Sequence, residues 1–184
     1  MSSFGIRPIK ETELNQLYDH FVRESEENGQ DGDLIFSPLE ETFNEDPDKF
    51  ILSKKVDLEK TLLDINWLRV WVVTNGDVIK GHLSLQHHIR LESSLHRGFI
   101  MMGIEKDFRS KGYGSQLLGA SIHWSKKQDN LSWLNLNVFD HNKPALNLYK
   151  KFGFEQVGFN KDLFRCFGKS VNDIEMSLKL NSIS

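Results

Sequence analysis

The stretch richest in chemistry runs Ile104-Glu105-Lys106-Asp107-Phe108-Arg109-Ser110-Lys111-Gly112-Tyr113-Gly114-Ser115-Gln116-Leu117-Leu118. An apolar run ends, two basic side chains and two glycines follow, and a helical pattern begins. Without side chains at Gly112 and Gly114, backbone N–H groups can close on an anion, and a helix start adds the positive end of its dipole. Phosphate binding is one reading of this pair of glycines; an ordinary helix-start turn is the other. Two familiar phosphate loops fail on spacing. A dinucleotide fingerprint requires a third glycine where Leu117 stands, and a Walker loop requires a glycine five residues before Gly-Lys-Ser. The tripeptide Gly168-Lys169-Ser170 has Leu163 at that position and no strand-loop-helix around it, so it is discounted. A second informative stretch spans Val138 to Phe154. Pro144 marks a helix first turn, Ala145, Leu148, Tyr149 and Phe152 recur at helical spacing, and Gly153 stops the helix. Tyr149 carries the one ionisable group on that stripe, a phenol with an ordinary pKa of about 10. The same stripe is also a pattern for plain core packing.

These residues require elements to hold them. Phe4 to Ile9 alternates as a short strand closed by Pro8, and Leu14, Leu17, Tyr18, Phe21 and Val22 follow as a helix. The acidic stretch from Glu24 to Asp48, broken by Gly29, Gly32, Pro38 and Pro47, reads as loop with a short helix around Leu39 to Phe43. A further helix is expected over Val56 to Ile65. Leu68 to Val73 and Val78 to Leu85 are β-rich runs around Asn75-Gly76, a hairpin signal whose two central positions call for positive φ. Gly98 to Ile104 reads as a buried strand and Ser115 to Lys127 as a helix. From Leu131 to Phe139 strict alternation puts Leu134, Leu136 and Val138 on one face and Trp133, Asn135, Asn137 and Phe139 on the other. Phe154 to Phe159 and Ile174 to Leu180 are the last strands, with Asn160 to Asn172 as a loop between them. The expected fold is α/β: one domain over residues 1–184, with a mixed central sheet of about six or seven strands flanked by helices.

Composition narrows the function classes. With 23 Lys+Arg against 26 Asp+Glu, the net charge of -3 supplies no bulk attraction to phosphate polymers or anionic lipid, so neither nucleic acid nor membrane is an expected partner. Cys166 is the only cysteine, which excludes an intramolecular disulfide and a Cys-rich zinc site. No long uncharged apolar run and no secretory order at the N-terminus is present, and a cytoplasmic location is expected. His82, His87 and His88 have no His-Glu-x-x-His context, so no metal is expected. There is no Gly-x-Ser-x-Gly elbow, and no spacing pairs Cys166 with a histidine, so a covalent nucleophile is not expected.

Arg109-x-x-Gly112-x-Gly114 after a strand resembles the acyl-CoA pyrophosphate loop of the GCN5-related N-acetyltransferase (GNAT) superfamily. About 30 residues on, Val138 to Phe154 resembles that family's V-x-x-x-N-x-x-A-x-x-L-Y-x-x-x-G-F element. The two motifs stand in the family's order, and the resemblance covers roughly Phe4 to Leu180, most closely from Leu68 to Phe159. It implies an acetyl-CoA-dependent N-acetyltransferase that moves an acetyl group to a primary amine by direct attack on the thioester. Met102 and Ile104 would face the pantetheine arm, Ile104 offering backbone groups as a strand edge does. Arg109, Lys111, Gly112, Tyr113, Gly114 and Ser115 would line the pyrophosphate. Asn142 would lie near the cofactor arm, and Tyr149 would protonate the departing thiolate. Many family members carry an acidic base on the loop strand, and Gly98 to Gly103 contains none. Candidates nearby are His87, His88, Glu92 and His96, in a segment expected to enter that strand beside the thioester. Glu26, Glu27, Asp31 and Asp33 would, by the family's layout, lie near the acceptor mouth, where they either attract a cationic amine or form a solvated loop. The acceptor is a small-molecule or peptide amine, with polyamine, amino acid, aminoglycoside and protein N-terminus all open, and the assembly is a monomer or homodimer. The competing reading is a catalytically idle acyl-CoA-binding sensor or interaction module.

Overall fold

A computed structural model of the chain describes residues 5–30, 34–89 and 91–180. Among them run β1 (Ile6–Pro8), α1 (Leu14–Glu26), α2 (Pro47–Glu59), β2 (Leu68–Asn75), β3 (Val78–His87), β4 (Arg97–Ile104), α3 (Tyr113–Ser125), β5 (Trp133–Phe139), α4 (Lys143–Lys151), β6 (Glu155–Cys166) and β7 (Lys169–Lys179). The strands form one seven-stranded sheet in the order β1-β2-β3-β4-β5-β7-β6. Every pair is antiparallel except β4 with β5. This is the expected mixed sheet; Phe4, placed at the head of the first strand by its sequence, lies outside the described residues.

The sheet is apolar on both faces where helices cover it. Leu68, Val70 and Val72 of β2 pack with Leu14 and Leu17 of α1 and Phe50 of α2. Trp71 and Val73, on the opposite face of the same strand, join Leu117, Leu118 and Ile122 of α3 and Leu146 and Tyr149 of α4. Alternation in β5 sends Leu134, Leu136 and Val138 into that second cluster. The cluster that buries α1 and α2 contains no residue of β5 or β7. The polar side of those strands, with Asn135 and Asn137, therefore faces away from every helix core.

Three sequence expectations change. The Leu39 to Phe43 segment is not helical, because buried Asn28 satisfies its neighbourhood's backbone: it donates to Ser37 O (3.0 Å) and Leu39 O (2.8 Å) and accepts from the amides of Phe36 and Ser37. The helix expected over Val56 to Ile65 is instead α2, which starts nine residues earlier. Asp46 accepts from Lys49 N at 2.8 Å and Pro47 opens the first turn, a capping pair that read as loop punctuation. Leu63, 67% exposed, belongs to no helical stripe. The expected 160–172 loop is the end of β6, a tight turn and the start of β7, with positive φ at both Phe167 (51°) and Gly168 (69°). A phenylalanine in that conformation hides the turn. The β2–β3 hairpin forms as expected, although Gly76 alone takes positive φ (59°) and Asn75 stays in the strand, the pattern of a type II′ turn rather than I′.

The feature that positions the site is the β4–β5 seam. The two strands pair over three residues only, Arg97, Gly98 and Phe99 with Trp133, Leu134 and Asn135. Beyond Phe99 they part, while β4 continues to Ile104 against β3. The β5-facing edge of Ile100 to Ile104 is left open to an extended ligand.

Candidate active site

The turn after β4 is built from two left-handed residues, Ser110 (φ 61°) and Gly112 (φ 83°), the latter as N-cap of α3. Side chains rarely adopt such a backbone, and a Cβ on Gly112 would meet nothing within 4 Å, so the glycine is required by conformation and its outer side is open. The first intrahelical bond runs from Gln116 N–H to Gly112 C=O (3.2 Å), which leaves the amides of Gly114 and Ser115 without a helical acceptor and aimed along the axis. Gly114 has a different reason: its Cβ would stand 3.2 Å from Leu148 Cδ2 and 3.5 Å from Ile104 Cδ1. It lets α3 sit close against α4 and β4. Lys111 holds its ammonium 4.9 Å over the Phe108 ring, at the edge of the turn.

Arg109 is a strut at the base of this loop. Its own amide donates to Lys106 O (3.1 Å), its Nε donates to Ile104 O (2.8 Å), and its guanidinium pairs with Glu27 and lies over Phe36. Glu27 also accepts from the amide of Lys106 (2.8 Å). Glu27 thus lies under the loop, not free at an acceptor mouth, because the C-terminal end of α1 abuts the turn after β4. Glu26 is exposed, and Asp31 and Asp33 lie outside the described residues.

Across the cleft, Asn142 caps α4 by accepting from Ala145 N (3.2 Å). About two turns along, Tyr149 is 6% exposed, its ring 5.8 Å from that of Phe154. Burial pushes its phenol up to about 12. Met102 and Ile104 extend from β4 on the same side as α3 and pack against its cluster. A Cβ on Gly114 would touch Leu148 and Ile104, and Tyr149 sits in the buried cluster against which Met102 and Ile104 pack, so the loop, the open β4 edge and the Tyr149 helix adjoin one another.

The opposite side of β4 carries a group of titratable residues that the sequence did not bring together. His20 (0% exposed) and His82 (4% exposed) hold Nε2 and Nδ1 3.0 Å apart. Glu105 Oε1 lies 3.0 Å from His20 Nδ1, and the same carboxylate accepts from Arg23 and Lys80. Burial alone would raise Glu105; the bonds from His20, Lys80 and Arg23 outweigh it and hold the carboxyl at about 2. His82 is held well below the usual imidazole range by burial and by its neighbours His20 and Lys54. Glu24 Oε2 stands 3.7 Å from His20 Nε2 and 3.8 Å from His82 Nδ1. The two ring nitrogens are bonded to each other, so one carries a proton and the lone pair of the other is taken. The trio is an imidazole pair beside a carboxylate, not an open ligand set. The only signals in the sequence were the i, i+4 spacing of His20 and Glu24 on α1 and the alternation that turns His82 to the same side.

The segment from Gln86 to His96 meets the start of β4, where β4 and β5 still pair. His87 pairs with Gly98, six residues before Ile104, and its Nε2 is bonded to Ser94 Oγ (2.9 Å), while His88 stacks on Phe99. At about 3.3 Å per residue, that is roughly 20 Å from the loop.

Comparison with known proteins agrees with this geometry. The chain is 38% identical over 58 residues to an N-alpha-acetyltransferase of Sulfurisphaera tokodaii, covering 32% of this chain and 35% of that one. It is 31% identical over 87 residues to the L-amino acid N-acetyltransferase AaaT of Escherichia coli, covering 47% and 52%. These matches span about a third to a half of the relatives' lengths. In fold, the yncA protein of Salmonella typhimurium, solved with its cofactor acetyl-CoA, superposes at TM-score 0.80 with 14% identity over 98% of this chain and 96% of its own. An N-acetyltransferase of Staphylococcus aureus Mu50 also gives 0.80, at 16% identity over 98% and 100%. The acetyltransferase (GNAT) family model matches residues 15–154 without a break, from α1 through the loop to the end of the Tyr149 helix, and the chain belongs to that family.

Proposed function

We propose that the protein is an acetyl-CoA-dependent N-acetyltransferase acting on a primary amine, with Tyr149 as general acid. The observation that supports this is the open β4 edge running into the Gly112 turn, with Tyr149 buried in the cluster against which Met102 and Ile104 of that strand pack. An acyl-CoA arm fits that edge as an added strand, with its pyrophosphate on the amides at the α3 start. The amine nitrogen forms a bond to the thioester carbon, the carbon–sulfur bond breaks, and the sulfur takes the Tyr149 proton. The carboxylates on the polar side of β5 and β7 are Asp173, which accepts from Asn137 Nδ2, and exposed Glu175, and these would attract a cationic acceptor. The names of two relatives, an N-alpha-acetyltransferase and an L-amino acid N-acetyltransferase, support an amine acceptor.

The test is release of CoA thiol from acetyl-CoA with a panel of spermidine, L-amino acids, an aminoglycoside and peptide α-amines. Turnover is expected with at least one. Gly112→Val should abolish acetyl-CoA binding while the circular dichroism spectrum stays native. Unchanged affinity in a folded Gly112→Val protein would place the pyrophosphate elsewhere. Tight binding with no thiol release on any amine would favour the idle acyl-CoA module instead.

A further inference from the structure

We propose that Glu24, reaching from α1 across the glycine gap at Gly103, takes the proton from the attacking amine. The assignment rests on the acetyltransferase reading above. Gly103 lies between Met102 and Ile104 on the open stretch of β4, opposite His82 in the β3–β4 register. A Cβ at position 103 would fall on the Glu24 carboxylate, so glycine there is what lets a side chain from another element touch this strand. The loop strand lacks an acid of its own, and α1 delivers one to the same place.

The carboxylate has no structural occupation. Its side chain is 13% exposed, none of the hydrogen bonds among the described residues ends on it, and its nearest partners are the imidazoles at 3.7 and 3.8 Å. A nearly buried carboxylate held without a donor costs stability, and such a cost persists where the group has work to do. Beside it, Glu105 is ionised and locked by Lys80, Arg23 and His20. Two neighbouring carboxyl groups whose environments drive them apart mark an acid–base assignment. Burial raises Glu24, moving it from the ordinary carboxylate range toward neutrality, as a base requires. The charged and titratable groups facing it are His20 and Glu27 of α1, His82 of β3, Glu105 after β4 and Arg109 of the loop; Lys80 of β3 pairs with Glu105 and Lys54 of α2 acts on His82.

As the nitrogen–carbon bond forms, the nitrogen proton passes to Glu24, and as the carbon–sulfur bond breaks, the Tyr149 proton passes to sulfur. Solvent exchange then moves the proton from Glu24 to the tyrosinate, which restores both groups.

Glu24→Gln, Glu24→Asp and Gly103→Ala should be compared with the native protein for acetyl-CoA affinity, melting temperature and the pH profile of kcat/KM on the best amine of the panel. Glu24→Gln should bind acetyl-CoA within about threefold of native and melt no lower. It should lose about 10²- to 10⁴-fold in kcat/KM together with the limb of the profile that reports the base. Glu24→Asp should keep part of the rate, and Gly103→Ala, which displaces the carboxylate, should lose it. A Glu24→Gln protein with native rate and profile overturns the assignment and leaves the acetyltransferase reading intact. A lower melting temperature with an unchanged profile shape makes Glu24 structural and also overturns it. Failure of the native protein to bind acetyl-CoA, or to turn over any amine, overturns both.

Discussion

Desolvation sets the behaviour of Tyr149. With its phenol raised to about 12, it keeps its proton at neutral pH and is a poorer donor than a free phenol, so the proposed transfer to sulfur requires that the same desolvation also raise the basicity of the leaving thiolate. Tyr149→Phe should lower kcat by roughly 10- to 10⁴-fold with little change in acetyl-CoA affinity, measured by single-turnover thiol release and by titration calorimetry. An unaltered single-turnover rate would return Tyr149 to packing against Phe154. At this scale the sequence was legible where chemistry is local. Gly112 and Tyr149 stand inside contiguous motifs; the structure gives Gly112 a left-handed conformation and buries Tyr149 in the core. Glu24, His20, His82 and Glu105 were not legible, because they meet only when α1 packs over β3 and β4, and no motif links residues that far apart in the chain.

Among the elements, most strands and helices followed from periodicity, and the misreadings have two physical causes. Pro47 reads in the sequence as a breaker, where with Asp46 it starts α2 instead, and a left-handed phenylalanine at 167 conceals a turn that glycine or asparagine would announce. The 34–43 segment shows a third limit. A single buried Asn28 side chain supplies four backbone partners, an arrangement that leaves no periodic trace. The segment in turn carries Ile35 onto Phe139, Cys166 and Val171. The α1–α2 connection is thereby tied to β5 and the β6–β7 turn, so one wall of the cleft is assembled from both ends of the chain.

For the whole molecule, the buried imidazole pair makes stability depend on pH. His82 is depressed in the folded state, so below about 6.5 the unfolded chain takes up a proton that the folded chain refuses, and stability falls as pH falls. Burial of His87 acts in the same direction, whereas Glu24, raised in the fold, acts oppositely: its contribution is present below the usual glutamate pKa and is lost as pH rises through its folded value. Melting curves between pH 7 and 5 should therefore slope downward for the native protein, and less so for His82→Asn, by at most about 1.4 kcal/mol per pH unit for the one group. Parallel slopes would show that His82 does not titrate differently on unfolding. The short β4–β5 seam carries a further consequence. Two halves of the sheet are joined in the backbone by three residue pairs, and a ligand arm lying in the gap bridges them, so occupancy and folding are thermodynamically linked. Each tenfold rise of ligand above its Kd adds about 1.4 kcal/mol to the folded state. If the gap takes an acyl-CoA arm as proposed, the lifetime of the chain against proteolysis follows the supply of that ligand.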